Sequence, residues 1–241
     1  MPGAPSGPGS TTGRSVGCGT VRPDGTVGGA GGVVVAESPE TVEVAEEVHE
    51  DEDFSEIVAA DEHWVRRRFV RCSFTGSDLR GLRTEACTFD ECDFARADLG
   101  DSRHRGTALR TCTFQGVTLL GAEFHGCSLL GSSLLGARLR PISFADCDLT
   151  LVALGRADLR KTDLSGLRMR EVNLVEADLR EADLSGADLS GARLRDARLE
   201  GADLRGTRID ADGLVQARLT GAKVDAETAV RFAVAHGLVI S

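Results

Sequence analysis

Tyrosine is absent from this 241-residue chain, tryptophan occurs once, and aromatic side chains make up only 4% of it. A surface that stacks nucleic-acid bases needs exposed rings, so a base-stacking platform is not expected. No apolar run approaches the length of a bilayer-crossing helix. The N-terminal Met-Pro-Gly-Ala lacks a basic stretch followed by an apolar core. A secretory leader is therefore not expected, and the default compartment is the cytosol. There is no CxxC pair and no Cys/His spacing typical of zinc, so no metal site is predicted. A GxSxG elbow, a phosphate loop and a GxGxxG turn after a strand are all missing. No acid, base and nucleophile converge, which argues against an enzyme and against a cofactor.

Charge is present but unevenly placed. The formal net charge is −10. Residues 1–62 hold 13 acids and two arginines, a net of −11, whereas residues 63–241 hold 25 acids and 26 bases, a net of +1. The outward strips of that second segment are too close to neutral for direct DNA binding. Residues 1–36 are rich in Gly, Ser, Pro and Val without periodicity and are expected to be disordered. Glu37 to Glu62 reads as a solvated, self-repelling acidic linker, or else as an acidic arm for a partner's basic groove.

What the chain has in abundance is a five-residue beat. Stepping by five from Phe69 to Val224 gives 32 positions, and all but Thr84 and His104 are Leu, Phe, Met, Ile or Val. Two residues before the beat, 24 of the 32 positions hold Ala, Cys, Ser or Thr. Neither a helix nor a flat strand repeats at five. A fixed short period is the signature of a solenoid, whose units bury apolar residues only against their neighbours. The beat residue and the small residue two before it point inward, and the other three point out. Glycine often falls two residues after the beat (Gly76, Gly81, Gly116), where the chain must turn.

Cys72, Cys87, Cys92, Cys112, Cys127 and Cys147 all occupy the small inward position and read as buried fillers. His104, alone at a beat position, reads as a hydrogen-bonded core histidine. A solenoid must close its ends. Asp225 can N-cap a helix from about Ala226 to His236, ended by Gly237. Ala229, Val230, Phe232, Ala233 and Val234, followed by Leu238, Val239 and Ile240, supply more apolar surface than one cap needs, so a homodimer through this end is expected. Trp64 and Val65 are expected to cover the first coil. Among outward residues, Glu123, Asp146, Asp163, Asp183 and Asp203 are expected on one side. A row of carboxylates on a rod could imitate a phosphate backbone, although Asp before the beat recurs on all sides and could simply suit the coil.

Residues 63–241 resemble the pentapeptide-repeat family. The generic repeat is clearest in ADLREADLSGADLSGARLRDARLEGADLRG, from Ala177 to Gly206. More specific are HWV (His63–Val65), CSFTG (Cys72–Gly76), SRHRGTALRTCTF (Ser102–Phe114), RLRPISF (Arg138–Phe144), DLTLVALG (Asp148–Gly155) and AVRFAVAHGL (Ala229–Leu238). These are most similar to the mycobacterial fluoroquinolone-resistance branch of the family. The resemblance implies an all-β solenoid: a right-handed quadrilateral β-helix of about eight coils over 63–224. A C-terminal capping and dimerisation helix over 225–241 and a disordered extension over 1–62 complete it. It implies a DNA mimic that binds DNA gyrase, modulates supercoiling and protects against fluoroquinolones. In actinobacterial relatives it also implies a small Ras-like GTPase as an alternative partner of a scaffold. Two features depart from the pattern, the acidic extension and the near-neutral rod. They suggest that the extension supplies the field that steers the rod to gyrase.

Overall fold

The computed structural model describes residues 47–239. The stretch 1–46, read as disordered and then acidic linker, lies outside the described residues. The strands are β1 (Glu47–Glu50), β2 (His63–Val65), β3 (Arg67–Val70), β4 (Arg83–Glu85), β5 (Thr88–Asp90), β6 (Arg103–Arg105), β7 (Ala108–Arg110), β8 (Ala122–His125), β9 (Ile142–Ala145), β10 (Asp188–Leu189) and β11 (Arg208–Ile209). They form parallel sheets in the orders β1-β3-β5-β7, β2-β4-β6-β8-β9 and β10-β11. Every pairing is offset by 20 residues, as in Arg83↔Arg103 and Phe69↔Phe89. Isolated parallel bridges continue the same offset down the rod, as in Asp163↔Asp183. Four five-residue sides therefore make one coil, and each coil advances the rod by the parallel-strand spacing of about 4.8 Å. The fold is a β-solenoid of about eight turns counted from Phe69.

One more coil precedes them. Glu47 pairs with Arg67 and Glu50 with Val70, so residues 47–62 are not linker, and the solenoid starts at 47 rather than 63. Packing explains the shift. His49, Phe54, Ala59 and Trp64 extend the beat backwards. His49 stacks on Phe69 with centroids 4.9 Å apart, and Phe54 stacks on Phe74 at 5.1 Å. Trp64 is buried within this coil, and Val65 is exposed. Eight of the 13 acids of residues 1–62 thereby belong to the rod. From residue 47 onward the chain has 33 acidic and 26 basic side chains, a net of −7. The rod is acidic, and its apparent neutrality came from the misplaced boundary.

The interior follows the beat. Phe74, Leu79, Leu129, Leu159, Leu184 and Leu204 are completely buried. The six cysteines from Cys72 to Cys147 are buried and unbridged. They also satisfy backbone: Cys87 Sγ donates to the Trp64 carbonyl at 3.3 Å, and Cys112 Sγ to the Phe89 carbonyl at 3.3 Å. Burial pushes both thiols up, away from the reactive thiolate. Many corners are β-turns, as where Ser77 N–H donates to the Phe74 carbonyl. The third residue has positive φ at every corner from Asp51 to Gly221 except those at Pro141, Ala211 and Gln216. Eighteen such corners carry a side chain, including Leu151 at φ 61°. The stack holds them in a conformation that costs roughly 1–3 kcal/mol for a non-glycine residue.

Near the C-terminal end two short helices interrupt the pattern. Helix α1 (Ala211–Val215) was not anticipated; it keeps Leu214 in the core. Helix α2 (Ala226–Ala235) begins where expected, with Asp225 accepting the Thr228 N–H at 2.8 Å. Asp225 also accepts the Gly206 N–H at 3.1 Å, which ties the helix to the coil beneath.

Candidate functional site

The outward surface divides into four sides, named by the beat residue beneath them. Aspartate just before the beat has a structural task on every side. Its carboxylate accepts the backbone N–H two residues on, as Asp98 does from Gly100 at 2.9 Å and Asp163 from Ser165 at 2.9 Å. What distinguishes the sides is the residue just after the beat. On the third side, over Leu79, Leu159 and Leu179, that residue is Arg. Arg80, Arg160 and Arg180 each hold the Asp two before them at 2.6 Å. The Arg160 guanidinium holds the Asp158 carboxyl down at about 2. The first side, over Phe69 and Phe89, is neutralised between coils, by Arg110 on Asp90, Arg168 on Asp148 and Arg208 on Asp188.

The fourth side, over Trp64, Thr84, His104, Phe124, Phe144, Leu164, Leu184 and Leu204, is different. Its main column runs His63, Arg83, Arg103, Glu123, Ser143, Asp163, Asp183, Asp203 and Lys223. Serine follows the beat at Ser165 and Ser185. Among the described residues Asp163 and Asp183 have no cationic partner, and at the other end of the side neither Arg66, Arg83 nor Arg105 has an anionic one. Asp203 is partly neutralised: Arg205 bonds it at 2.6 Å and holds its carboxyl at about 2. Over its first three coils the side carries Arg66, Arg83, Arg103 and Arg105 against Glu62 and Glu85, an excess of positive charge centred on the third coil, and it turns acidic from the fourth or fifth coil onward.

Four of the five expected acidic residues, Glu123, Asp163, Asp183 and Asp203, share this column. Asp146 does not. It lies 23 residues beyond Glu123 rather than 20, at the following corner with φ 55°. It is exposed and adds to the acidic half from beside the column.

Under this side lies a polar pocket of the core. His104 is 2% exposed and shares hydrogen bonds with Thr84 Oγ1 at 2.8 Å and Ser102 Oγ at 3.0 Å, and its ring stacks on Phe124 at 4.7 Å. Both ring nitrogens are satisfied, and burial pushes the imidazole down to about 4. This is a core histidine. No group of three or more His, Cys, Asp or Glu among the described residues is arranged to hold a metal.

The C-terminal apolar set splits in two. Phe232 packs onto the core at the end of the rod, facing Leu214, Leu219 and Ala222. Val230, Val234, Leu238 and Val239 face outward, as does Ala229, with Ala233 half-buried. Ile240 lies outside the described residues. Among the described residues no helix is long and apolar enough to cross a membrane.

The pentapeptide-repeat family model matches residues 68–103, 92–131, 137–174 and 173–209, in eight copies. The chain belongs to the pentapeptide-repeat family. Solved structures of this fold agree. Two trypsin-treated variants of QnrB1, described as a plasmid-mediated fluoroquinolone resistance protein, superpose with TM-scores of 0.70 and 0.71 at 22% and 24% identity. Each covers 81% of this chain and 98% of the other. Full-length QnrB1 gives 0.66 at 22% identity, covering 79% and 100%. At this identity the likeness establishes the pentapeptide-repeat fold. No curated protein matches the chain.

Proposed function

We propose that this pentapeptide-repeat protein is a non-enzymatic DNA mimic that binds DNA gyrase in the cytosol, modulates supercoiling and protects against fluoroquinolones. The observation that carries the reading is the uncompensated acidic half of the fourth side, on a rod of net charge −7. Its carboxylates recur at about 4.8 Å along a straight axis, and a basic groove built for duplex phosphates would accept them. The sequence resemblance to the mycobacterial protein MfpA and the QnrB1-like fold support it.

Purified protein is expected to alter gyrase supercoiling, with and without a fluoroquinolone. Replacing Asp163 and Asp183 together by Lys is expected to weaken that effect about tenfold or more at low salt, since like charges would then face the groove. An unchanged effect would remove the acidic half from the interface. A chain starting at Glu47 tests the steering role of residues 1–46, because a cut at 63 would remove the first coil.

We further propose a homodimer through the outward face of α2. Val230→Glu with Val234→Glu is expected to give monomers by light scattering; an unchanged mass moves the interface elsewhere. Phe232 is the wrong residue for this test, because it closes the rod. A scaffold for a small Ras-like GTPase is the second reading. It draws on exposed Leu130 and Leu135 on one coil and Leu151 on the next. Binding through that apolar patch would survive salt that abolishes a charge-mediated contact.

A further inference from the structure

On the fourth side the two charge signs are sorted by position along the axis, and they are sorted symmetrically. Taking Glu123 as origin, Arg83 lies two coils before it and Asp163 two coils after it in the same column. His63 and Asp183 lie three coils before and after. On the flanking positions Arg105 precedes and Asp146 follows at matching distances. Two copies laid antiparallel, with a two-fold axis at the Glu123 coil, would therefore bring Arg83 against Asp163 and Arg105 beside Asp146, while Glu85, next to Arg83, would face the uncharged Ser165. Glu123 would meet its own copy on the axis, and it is already bonded to Arg103 at 3.4 Å.

We propose that this side is a self-complementary lateral interface between two antiparallel copies of the chain. An isologous contact needs one patch that complements itself after a two-fold rotation, and this column does. The first and third sides carry comparable numbers of charges but cancel them within the chain, so they offer no such pairing. Seven coils give a strip about 30 Å long. One side with its corners then buries on the order of 600 Å² per partner, at the low end for specific association, so the contact is weak and steeply salt-dependent. It uses a different surface from the α2 interface and does not depend on gyrase being the partner. Its consequence for that partner is that the self-associated form hides the acidic half.

The test is sedimentation velocity of the full-length chain at ~50 mM and ~500 mM salt, where screening shortens from roughly 14 Å to about 4 Å. The expected result is a salt-dependent increase in mass at low salt, above whatever α2 gives alone, that is lost at high salt. Two charge reversals sharpen it. Asp163→Lys with Asp183→Lys makes the acidic half predominantly basic, and Arg83→Glu with Arg103→Glu makes the basic half predominantly acidic. Each variant alone is expected to lose the salt-dependent step, and an equimolar mixture of the two is expected to regain it through mixed lateral contacts. All four residues are exposed, and thermal melts check that both variants fold. Absence of a salt-dependent step in the wild type, or failure of the mixture to associate, overturns the proposal. So would binding of a DNA duplex by the wild type, lost on Arg83→Glu with Arg103→Glu, without self-association. That outcome would make the basic half a site for phosphates.

Discussion

The two halves of the rod share one backbone but fill it differently. Up to Phe144 the interior combines leucine with stacks of phenylalanine, four of which, Phe74, Phe89, Phe94 and Phe114, have cysteine at the small position beside them. Phe69 lies on Phe89 and Phe94 on Phe114, each at 4.9 Å and within 6° of parallel. Beyond Phe144 no beat position is aromatic, and from Ala177 to Leu204 leucine over alanine repeats without change. The first half also contains the polar pocket around His104, a basic fourth side and more departures from the consensus beat. The contrast shows that the fold demands only an apolar group at every fifth position and a small group two before it. Identity within those classes is free to serve other ends.

The largest effect that would break this comparison is a cavity. Phe94→Ala is expected to cost about 3–5 kcal/mol and Leu184→Ala about 2–5 kcal/mol, with the ring loss greater because two stacked neighbours lose their partner. Denaturant unfolding of both variants checks this. Equal losses would mean that stacking adds nothing beyond volume.

Next comes acid. The folded-state value of His104 is about 4, against about 6.5 in an unfolded chain. Above pH 6.5 the residue is neutral in both states and its contribution is complete. As the pH falls toward 4 the unfolded chain takes up the proton first, so stability declines, by roughly 3 kcal/mol at the lower limit. His104→Phe keeps the stack on Phe124 and is expected to flatten this slope in melts between pH 7 and pH 4. Asp158 and Asp203, held down at about 2, act in a lower window: their contribution is present above pH 4 and is lost as the pH falls through 2.

Smaller effects come from the corners. Leu151→Gly relieves a left-handed side chain that is 51% exposed and is expected to stabilise the chain by about 1 kcal/mol. Gly121→Ala is expected to do the reverse by a similar or larger amount, because its φ is 76° and a Cβ there would collide with the Asp101 carboxylate. Thermal midpoints that move the other way would sink this account of the corners. Smallest of all, Arg156→Ala removes an exposed pair with Glu176 at 2.9 Å and is expected to change stability by less than about 0.5 kcal/mol.

Most of the interior was legible in the sequence, because inward and outward positions follow from counting. The first coil was missed although Trp64, Ala59, Phe54 and His49 keep the count. Their inward neighbours Glu62, Glu52 and Glu47 are not small, and the acidic composition suggested a solvated segment. Asp146 was misassigned by arithmetic that the 20-residue register corrects. Helix α1 carried little signal, since Leu214 still falls on the beat while Asp210 to Gly213 bulge around it. The sorting of charge on the fourth side was present in the sequence, as serine rather than arginine after Leu164 and Leu184. It became visible only once positions 20 apart were known to be neighbours.

The 20-residue register also governs which insertions and deletions the rod can survive. Removing one residue between coils would send every downstream leucine outward. Removing five would keep all of them inside and turn the remainder of the rod by a quarter revolution. A five-residue deletion between Gly126 and Ile142 would thus leave a folded molecule whose acidic half no longer lies in line with its basic half. Length can change by whole coils without altering the pattern of any side, and relative orientation can change by whole units without altering the core. Evolution of such a surface is a matter of indexing: the same side chains, shifted by one unit, present a different molecule to every partner.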